Sequence, residues 1–388
     1  MSDEKPIRLF VDAHVFDQEF QGTRTFIREI YTRLAGKKGL LLYLAAYDTE
    51  NLEKVFPQSD GVRYIKFRSK SSLIRLSYEI PALLKRHAID YAHFQYICPP
   101  VKRCKYIVTL HDVIFSEYPD EFSLLYRMGK KMLFKRSAGM SDIITTVSEY
   151  SKRSIRKFLD VDPGIPIHVV PNGVGPEFFE PYDKQQSKDR LLEKYGLGKF
   201  ILYVSRIEPR KNHVFLLKAY LQEELYKKGY SLVLLGHQSI KIPAFDKLLQ
   251  ELPDHIRKYI FLDSRIGDKD LLDFYKAAEL FVYPSRAEGF GIPPLEAAAL
   301  RIPVICSNTS AMEEYAFFGD YHIDPFDLGL LAAKLSEMLR NPPSAHHLEE
   351  ISLTIRHQYS WDLAAEKFYQ LLPVPLGAGK NTGDLTNY

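Results

Sequence analysis

The sequence predicts an α/β protein made of two doubly wound parallel-sheet domains facing each other across a cleft. Three observations carry this. At 388 residues the chain is too long for one ordinary domain and suits two of roughly 100–200 residues each. Short apolar runs alternate with helical patterns through the first half, stop, and begin again in the second. Continuous apolar strands between helices belong to parallel sheets covered on both faces.

In the first half, strands are expected over 7–11, 40–46, 62–67, 91–96, 106–110, 143–147 and 167–170. Helical patterns separate them over 23–34, 73–87, 122–137 and 149–158. Pro171-Asn172-Gly173 ends the series, and the polar stretch 180–188, interrupted by Pro181, reads as the linker. The second series has strands over 200–204, 231–235, 259–262, 280–283 and 303–306. Its helices are expected over 212–226, 245–257, 268–278, 294–300, 327–340, 347–357 and 361–371. This gives a first domain over 1–178, a second over 179–357, a last helix within 358–376 and a loose polar tail over 377–388. Two such domains in succession place a ligand cleft at the carboxyl ends of their strands.

Composition narrows the class. Apolar residues make up 46% and charged residues 26%, the balance of a soluble globular protein. No run approaches the ~18 apolar residues of a membrane span, and the acidic start does not read as a secretory signal. Cys98, Cys104 and Cys306 are scattered without metal-ligand spacing, which fits a reducing compartment, so a cytoplasmic location is expected. The net charge is only +3, but basic residues concentrate between Arg63 and Lys105 and between Arg127 and Lys157. These are solvated helix faces or a basic face that meets anionic lipid or a lipid-linked phosphate acceptor. No nucleic-acid recognition motif is present.

The chemistry concentrates in residues 285–299, Ser-Arg-Ala-Glu-Gly-Phe-Gly-Ile-Pro-Pro-Leu-Glu-Ala-Ala-Ala. An apolar strand ends just before it, and Pro293 and Pro294 suit the first turn of a helix. Strand, glycine loop and helix start together point backbone N–H groups at an anion. Glu288 and Glu296 stand at either end and could hold hydroxyl groups on each side of a bound phosphate, as a nucleotide sugar requires. The alternative is an ordinary turn with a glutamate answering the helix dipole. After the strand at 200–204, Arg206 and Lys211 occupy the turn into the next helix, where two cations could converge on a diphosphate. Standing alone they would equally be a basic surface turn. His111 follows the strand at 106–110 and would face the cleft from the opposite wall, although a lone histidine is more often structural. Gly22 lies between the first strand and first helix as a phosphate- or acceptor-facing loop candidate, and Gly236-His237 follows another strand.

In this order the segments resemble retaining glycosyltransferases of family 4, which have the GT-B fold of two Rossmann-like domains. The resemblance rests on HDVIFSEYPDEFS from His111, TVSEYSKRSI from Thr146, VVPNGV from Val169, LYVSRIEPRKNHVFLLKAY from Leu202, LVLLG from Leu232 and PSRAEGFGIPPLEAAA from Pro284. It implies a nucleotide-sugar donor on the second domain, an acceptor on the first, and a last helix that crosses back to the first. By resemblance, Glu288 contacts the donor sugar and Glu296 the ribose. The N–H groups of Gly289, Phe290, Gly291 and Ile292 hold sugar or diphosphate. Arg206 and Lys211 neutralise the leaving diphosphate without a metal or other cofactor. His111 flanks the reacting carbon through its carbonyl or ring, and Ser264, Arg265 and Ile266 are weaker candidates for base contacts. Hexose transfer to a hydroxyl of a glycan or lipid-linked glycan follows, with GDP-mannose favoured over a UDP-hexose by the stretch from His111 to Ser123.

Three departures stand out. The loop before Thr23 lacks paired glycines, Arg301 occupies a common glycine position, and residues 313–318 replace a smaller turn. Two other classes remain at this level. One is a non-catalytic subunit of similar fold. The other is a nicotinamide-dependent oxidoreductase, for which the dinucleotide fingerprint is missing.

Overall fold

The computed structural model describes residues 5–17, 22–56, 59–238 and 240–373. Two sheets form, and every strand pairing is parallel. The first contains β1 (Ile7–Asp12), β2 (Leu40–Ala46), β3 (Val62–Lys66), β4 (Tyr91–Gln95), β5 (Lys105–Thr109), β6 (Ile143–Thr146) and β7 (Ile167–Val169), in the order β3-β2-β1-β4-β5-β6-β7. The second contains β8 (Phe200–Val204), β9 (Ser231–Leu235), β10 (Ile260–Asp263), β11 (Leu280–Tyr283), β12 (Val304–Ser307) and β13 (His322–Ile323), in the order β10-β9-β8-β11-β12-β13. Strand order reverses at β1/β4 and at β8/β11, the points where an open parallel sheet splays its loops apart and leaves a crevice. The strands are apolar on both faces because helices cover both. Phe200, Ile201, Leu202 and Tyr203 in β8, for example, are all fully buried.

Several elements differ from expectation. The stretch expected to be linker holds the start of a helix, Lys184–Tyr195, capped by Asp183. Its buried residues are Ser187 and Leu191, so it carries almost no apolar stripe. Polar contacts hold it instead: Arg190 Nε donates to Asp273 at 2.8 Å and Lys184 donates to the carbonyl of Ala278 at 2.8 Å. A short helix Thr49–Val55, capped by Asp48, was not anticipated. The expected helix over 73–87 is interrupted by a π-helical turn, Arg75–Glu79. The one over 245–257 splits into Pro243–Gln250 and Asp254–Arg257 around Pro253. The one over 212–226 stops at Gln222.

The final helix, Trp361–Tyr369, packs on helix Gly22–Leu34 of the first sheet's layer. The Trp361 ring lies 6.4 Å from Phe26, Phe368 lies 5.9 Å from Tyr31, and Arg33 pairs with Asp362 at 2.6 Å. The two connections between the sheets touch: the Val174 N–H donates to the Tyr359 carbonyl at 2.7 Å. A Cβ on Gly173 would lie 2.2 Å from the Trp361 nitrogen, so only glycine permits this crossing. The tail over 377–388 lies outside the described residues.

Candidate active site

The second sheet supplies a buried charge cluster. Beyond β8 a single 3₁₀ turn, Pro209–Lys211, drives two consecutive cations inward, and the Tyr203 hydroxyl fixes it by donating to the Lys211 carbonyl at 2.6 Å. The Lys211 ammonium contacts the Glu288 carboxylate and lies 3.2 Å from the Tyr283 hydroxyl, which donates to Glu288 at 3.0 Å. Arg210 donates to the Ala287 carbonyl at 2.7 Å, reaches Glu288 at 3.3 Å and pairs with Glu208 at 2.9 Å. All four charged side chains are only 8–11% exposed. Burial disfavours the Glu288 carboxylate, but Lys211 and Arg210 outweigh it and draw its pKa down to about 2. Lys211 is pushed down to about 8 by burial and by Arg210, against the attraction of Glu288. The asymmetry has a plain cause: Glu288 faces two cations, whereas Lys211 shares its site with another positive charge. Both partners are therefore ionised at neutral pH. Losing one would strand the others at a cost of about 3–5 kcal/mol.

The glycine loop continues from Glu288, whose N–H is held by the Ser310 hydroxyl at 2.8 Å. Gly291 has φ +93° and opens helix Ile292–Ala299, whose first turn contains Pro293 and Pro294. The N–H groups of Gly289, Phe290, Gly291 and Ile292 donate to none of the described residues. They form a short row of orphan donors at a helix start, which suits an anion. Glu296, on the same helix, accepts from the Tyr275 hydroxyl at 2.8 Å. Burial raises its pKa to about 7, with Glu177 adding to the effect.

The first sheet faces this loop with a chain of neutral polar groups beside the Asp112 carboxylate. The His111 ring, beyond β5, meets the Gln95 Oε1 at 2.6 Å, and the Gln95 amide donates to His93 at 3.1 Å. His93 in turn lies 2.6 Å from the Tyr31 hydroxyl and 2.7 Å from Thr109. Burial pushes His111 down to about 4 and His93, with some repulsion from His111, to about 3. With His93 neutral and accepting, the Gln95 amide orientation is set, and His111 must donate through Nε2. The His111 carbonyl, not this occupied ring nitrogen, points at the glycine loop. A Cβ on Gly289 would sit 2.9 Å from that oxygen and 2.8 Å from Asp112 Cβ. Ser148 and Ser151 from the first domain both donate to the Gly289 carbonyl, at 2.8 and 3.0 Å. At the rim Tyr150 N–H donates to Glu314 at 2.9 Å and Arg153 pairs with Glu313, so the enlarged turn at 313–318 reaches across the cleft.

Of the residues singled out from sequence, Lys211, Glu288, Gly289 and the His111 carbonyl converge. Arg206 stands at the rim of the cluster: its side chain is 59% exposed and pairs with Glu208 at 3.3 Å. Arg210, passed over in sequence, is inside. Phe290 packs on Tyr315 and Tyr359, and its carbonyl accepts from Tyr315 at 2.8 Å. Arg265 and Ile266 follow β10, the edge strand two places from β8 and three from β11, so they lie roughly 10–14 Å along the sheet from the cluster. Gly22 begins the first helix with open space around it, so no close approach demands a glycine there. No group of three or more His, Cys, Asp or Glu side chains able to hold a metal ion occurs among the described residues.

Two family models match the chain, one over each sheet. One for glycosyltransferase family 4 matches residues 20–178, and one for glycosyl transferases group 1 matches residues 184–353. The chain belongs to glycosyltransferase family 4. It is 29% identical over 285 residues to O-antigen chain mannosyltransferase B of Escherichia coli, covering 70% of this chain and 72% of that one. It is 28% identical over 256 residues to the serotype-specific mannosyltransferase WbdA of Escherichia coli, where the match covers 64% of this chain but only 30% of that protein. The sucrose-phosphate synthase structure from Thermosynechococcus elongatus superposes with a TM-score of 0.75 at 19% identity, over 95% of this chain and 98% of that one. The transferase therefore has the GT-B fold of two Rossmann-like domains. Family membership displaces the oxidoreductase reading. No helix among the described residues is long and apolar enough to cross a membrane.

Proposed function

We propose that the transferase moves a mannosyl residue from GDP-mannose to a hydroxyl of a glycan or lipid-linked glycan, with retention at the anomeric carbon. The observation that carries this is the buried Lys211–Glu288–Arg210 cluster beneath a row of orphan N–H groups, directly across from the His111 carbonyl. Mannose transfer is named for both curated relatives, and GDP is the nucleotide that the sequence resemblance implies. In this reaction the bond from the sugar carbon to the phosphate oxygen breaks. The acceptor oxygen attacks from the same face, and its proton passes to the leaving phosphate. Lys211 and Arg210 offset the charge that develops on that phosphate, and the N–H row adds donors. The His111 carbonyl stabilises positive character on the sugar carbon. Glu288, held ionised, orients sugar hydroxyls, and Glu296 takes the ribose.

Helix Leu124–Met140 supports a peripheral membrane contact for this reaction. Leu125 is 84% exposed and Met132 67%, beside the cations Lys131 and Lys135. Apolar side chains with flanking lysines suit an anionic lipid surface. Sedimentation with anionic but not neutral vesicles tests that contact.

The donor is tested by thermal shift against GDP, UDP and ADP with a chelator present, followed by a transfer assay with the matching sugar nucleotide. Stabilisation by GDP and an α-linked product from GDP-mannose are expected. Stabilisation by UDP alone would reassign the donor, and nucleotide binding without transfer would favour a non-catalytic subunit.

A further inference from the structure

A second charged site lies on the same carboxyl edge of the first sheet, beyond β1. A cavity of about 440 Å³ opens there between the ends of β1, β2 and β3. Arg75 lines it and is only 9% exposed. Its guanidinium makes no hydrogen bond to any described residue, and its Nε is buried without an acceptor. Among the described residues it forms a long ion pair with Asp12, 3.7 Å from its Nε, and lies 5.8 Å over the Phe67 ring, while Asp12 also accepts from His14 at 3.0 Å. A buried guanidinium left in this way is costly, and its planar fork matches an oxyanion.

The surroundings carry both signs of charge, with the exposed cations at the rim. Lys66 and Lys70 are exposed cations lining the cavity, with Lys70 lying 4.7 Å over the Tyr47 ring. Asp17 and Asp48 line it too and keep their charge, with oxygens occupied by protein donors. Asp17 accepts the N–H groups of Tyr47 and Asp48 at 2.9 and 2.8 Å. Asp48 caps the following helix through Glu50 N–H at 3.1 Å and accepts from the Asn51 side chain at 3.1 Å. The backbone also aims Arg75, since it is the first residue of the π-helical turn, a rare element frequent at functional sites. Glu79, at the end of that turn, accepts from the N–H of Arg68 and Ser69 and so ties the lysine-bearing loop to it.

We infer that this cavity is an acceptor subsite for an oxyanion, gripped by Arg75 with Lys66 and Lys70 at the rim. The inference rests on the transferase reading above and gives its acceptor a charge. β1 is two strands and β3 four strands from β5, so the cavity lies roughly 10–19 Å along the sheet edge from His111. The anion therefore sits away from the ring whose hydroxyl reacts. A phosphate of a lipid-linked acceptor and the carboxylate of an acidic sugar share this chemistry.

Calorimetric titration with inorganic phosphate and with glucuronate, each with the donor site filled by saturating GDP, tests the subsite. At least one probe should bind the wild type, and the tighter one names the source. Binding should weaken about ten-fold or more in Arg75→Met. The exposed pair Lys66→Ala/Lys70→Ala should weaken it as well, and serves if Arg75→Met misfolds. No binding by either probe, or binding unchanged in both variants, overturns the subsite. The GDP-induced thermal shift separates the two ideas. If it is missing in the wild type, the donor reading falls, and the same titrations without GDP still decide the cavity.

Discussion

The two sheets wind in the same way around their switch points, yet they present opposite chemistry to one cleft. The second sheet's wall is ionic: Glu208, Arg210, Lys211 and Glu288 are buried together within the loops that follow β8 and β11. The first sheet's wall is mostly neutral: His111, Gln95, His93 and Tyr31 form a chain of hydrogen bonds without a formal charge, with the Asp112 carboxylate beside it at the glycine loop. Charge gathers where a diphosphate must be met, and neutral polarity where a hydroxyl and a carbonyl must be positioned. The ionic wall comes from two loop segments, whereas the other comes from β4, the end of β5 and a helix.

The sharpest way to break the comparison is Arg210→Ala against Arg206→Ala. Arg210→Ala should lower kcat/KM about 10²–10³-fold and cost roughly 3–5 kcal/mol of stability, because it removes a buried counter-charge. Arg206→Ala should leave stability within about 0.5 kcal/mol and reduce turnover less. Steady-state kinetics with denaturant unfolding decides, and equal effects would contradict an outer role for Arg206.

Next in size is Gly289→Ala, which puts a methyl group against the His111 carbonyl and forces the walls apart. A loss of about 10²-fold in kcat with Tm nearly unchanged is expected, since ~1 Å of misplacement suffices for that. Wild-type turnover would mean that this contact is not made during the reaction.

The neutral wall should show in acid. Burial holds His93 near 3 and His111 near 4, and His213, mainly through burial, near 3. In the unfolded chain each takes up a proton near pH ~6.5. Between that value and about 4 the unfolded state binds more protons, so stability should be full above pH ~6.5 and decline as the pH falls towards 4. Denaturant unfolding at stepped pH measures this, and His93→Gln should flatten the slope. The smallest effect lies outside both walls. Arg301 has φ +61° and pairs with Glu349. Arg301→Gly relieves left-handed strain and loses a part-exposed ion pair, so unfolding should change by no more than about 1 kcal/mol.

What could be read from the residues follows the same division. Strands β8, β9 and β11 were legible to the residue because each is a short apolar run. Helix Lys184–Tyr195 was not, since its contacts with Asp273 and Glu279 follow no sequence period. Lys211 and Glu288 stand out in the sequence because each sits in a strand-loop-helix unit that signals itself locally. Arg210 takes no role when read from sequence alone, although Pro209 is an available cue for the one-turn helix that buries it and leaves Arg206 exposed. Gln95, His93 and Tyr31 could not be paired with His111 without the order β1-β4-β5, which no single segment contains. The orphaned guanidinium of Arg75 was hidden within an apparently continuous helix.

The crossing at Gly173 sets the mechanics of the molecule. Both chain connections pass through one point, where Val174 bonds to Tyr359 and Gly173 lies against Trp361. Two tethers that meet act as a pivot, not as two separate springs. Rotation about such a pivot moves nearby atoms little and distant atoms most. Tyr315 rests on Tyr359 at 5.7 Å, so the contacts of Glu313 with Arg153 and Glu314 with Tyr150 sit beside the pivot and can persist while the walls turn.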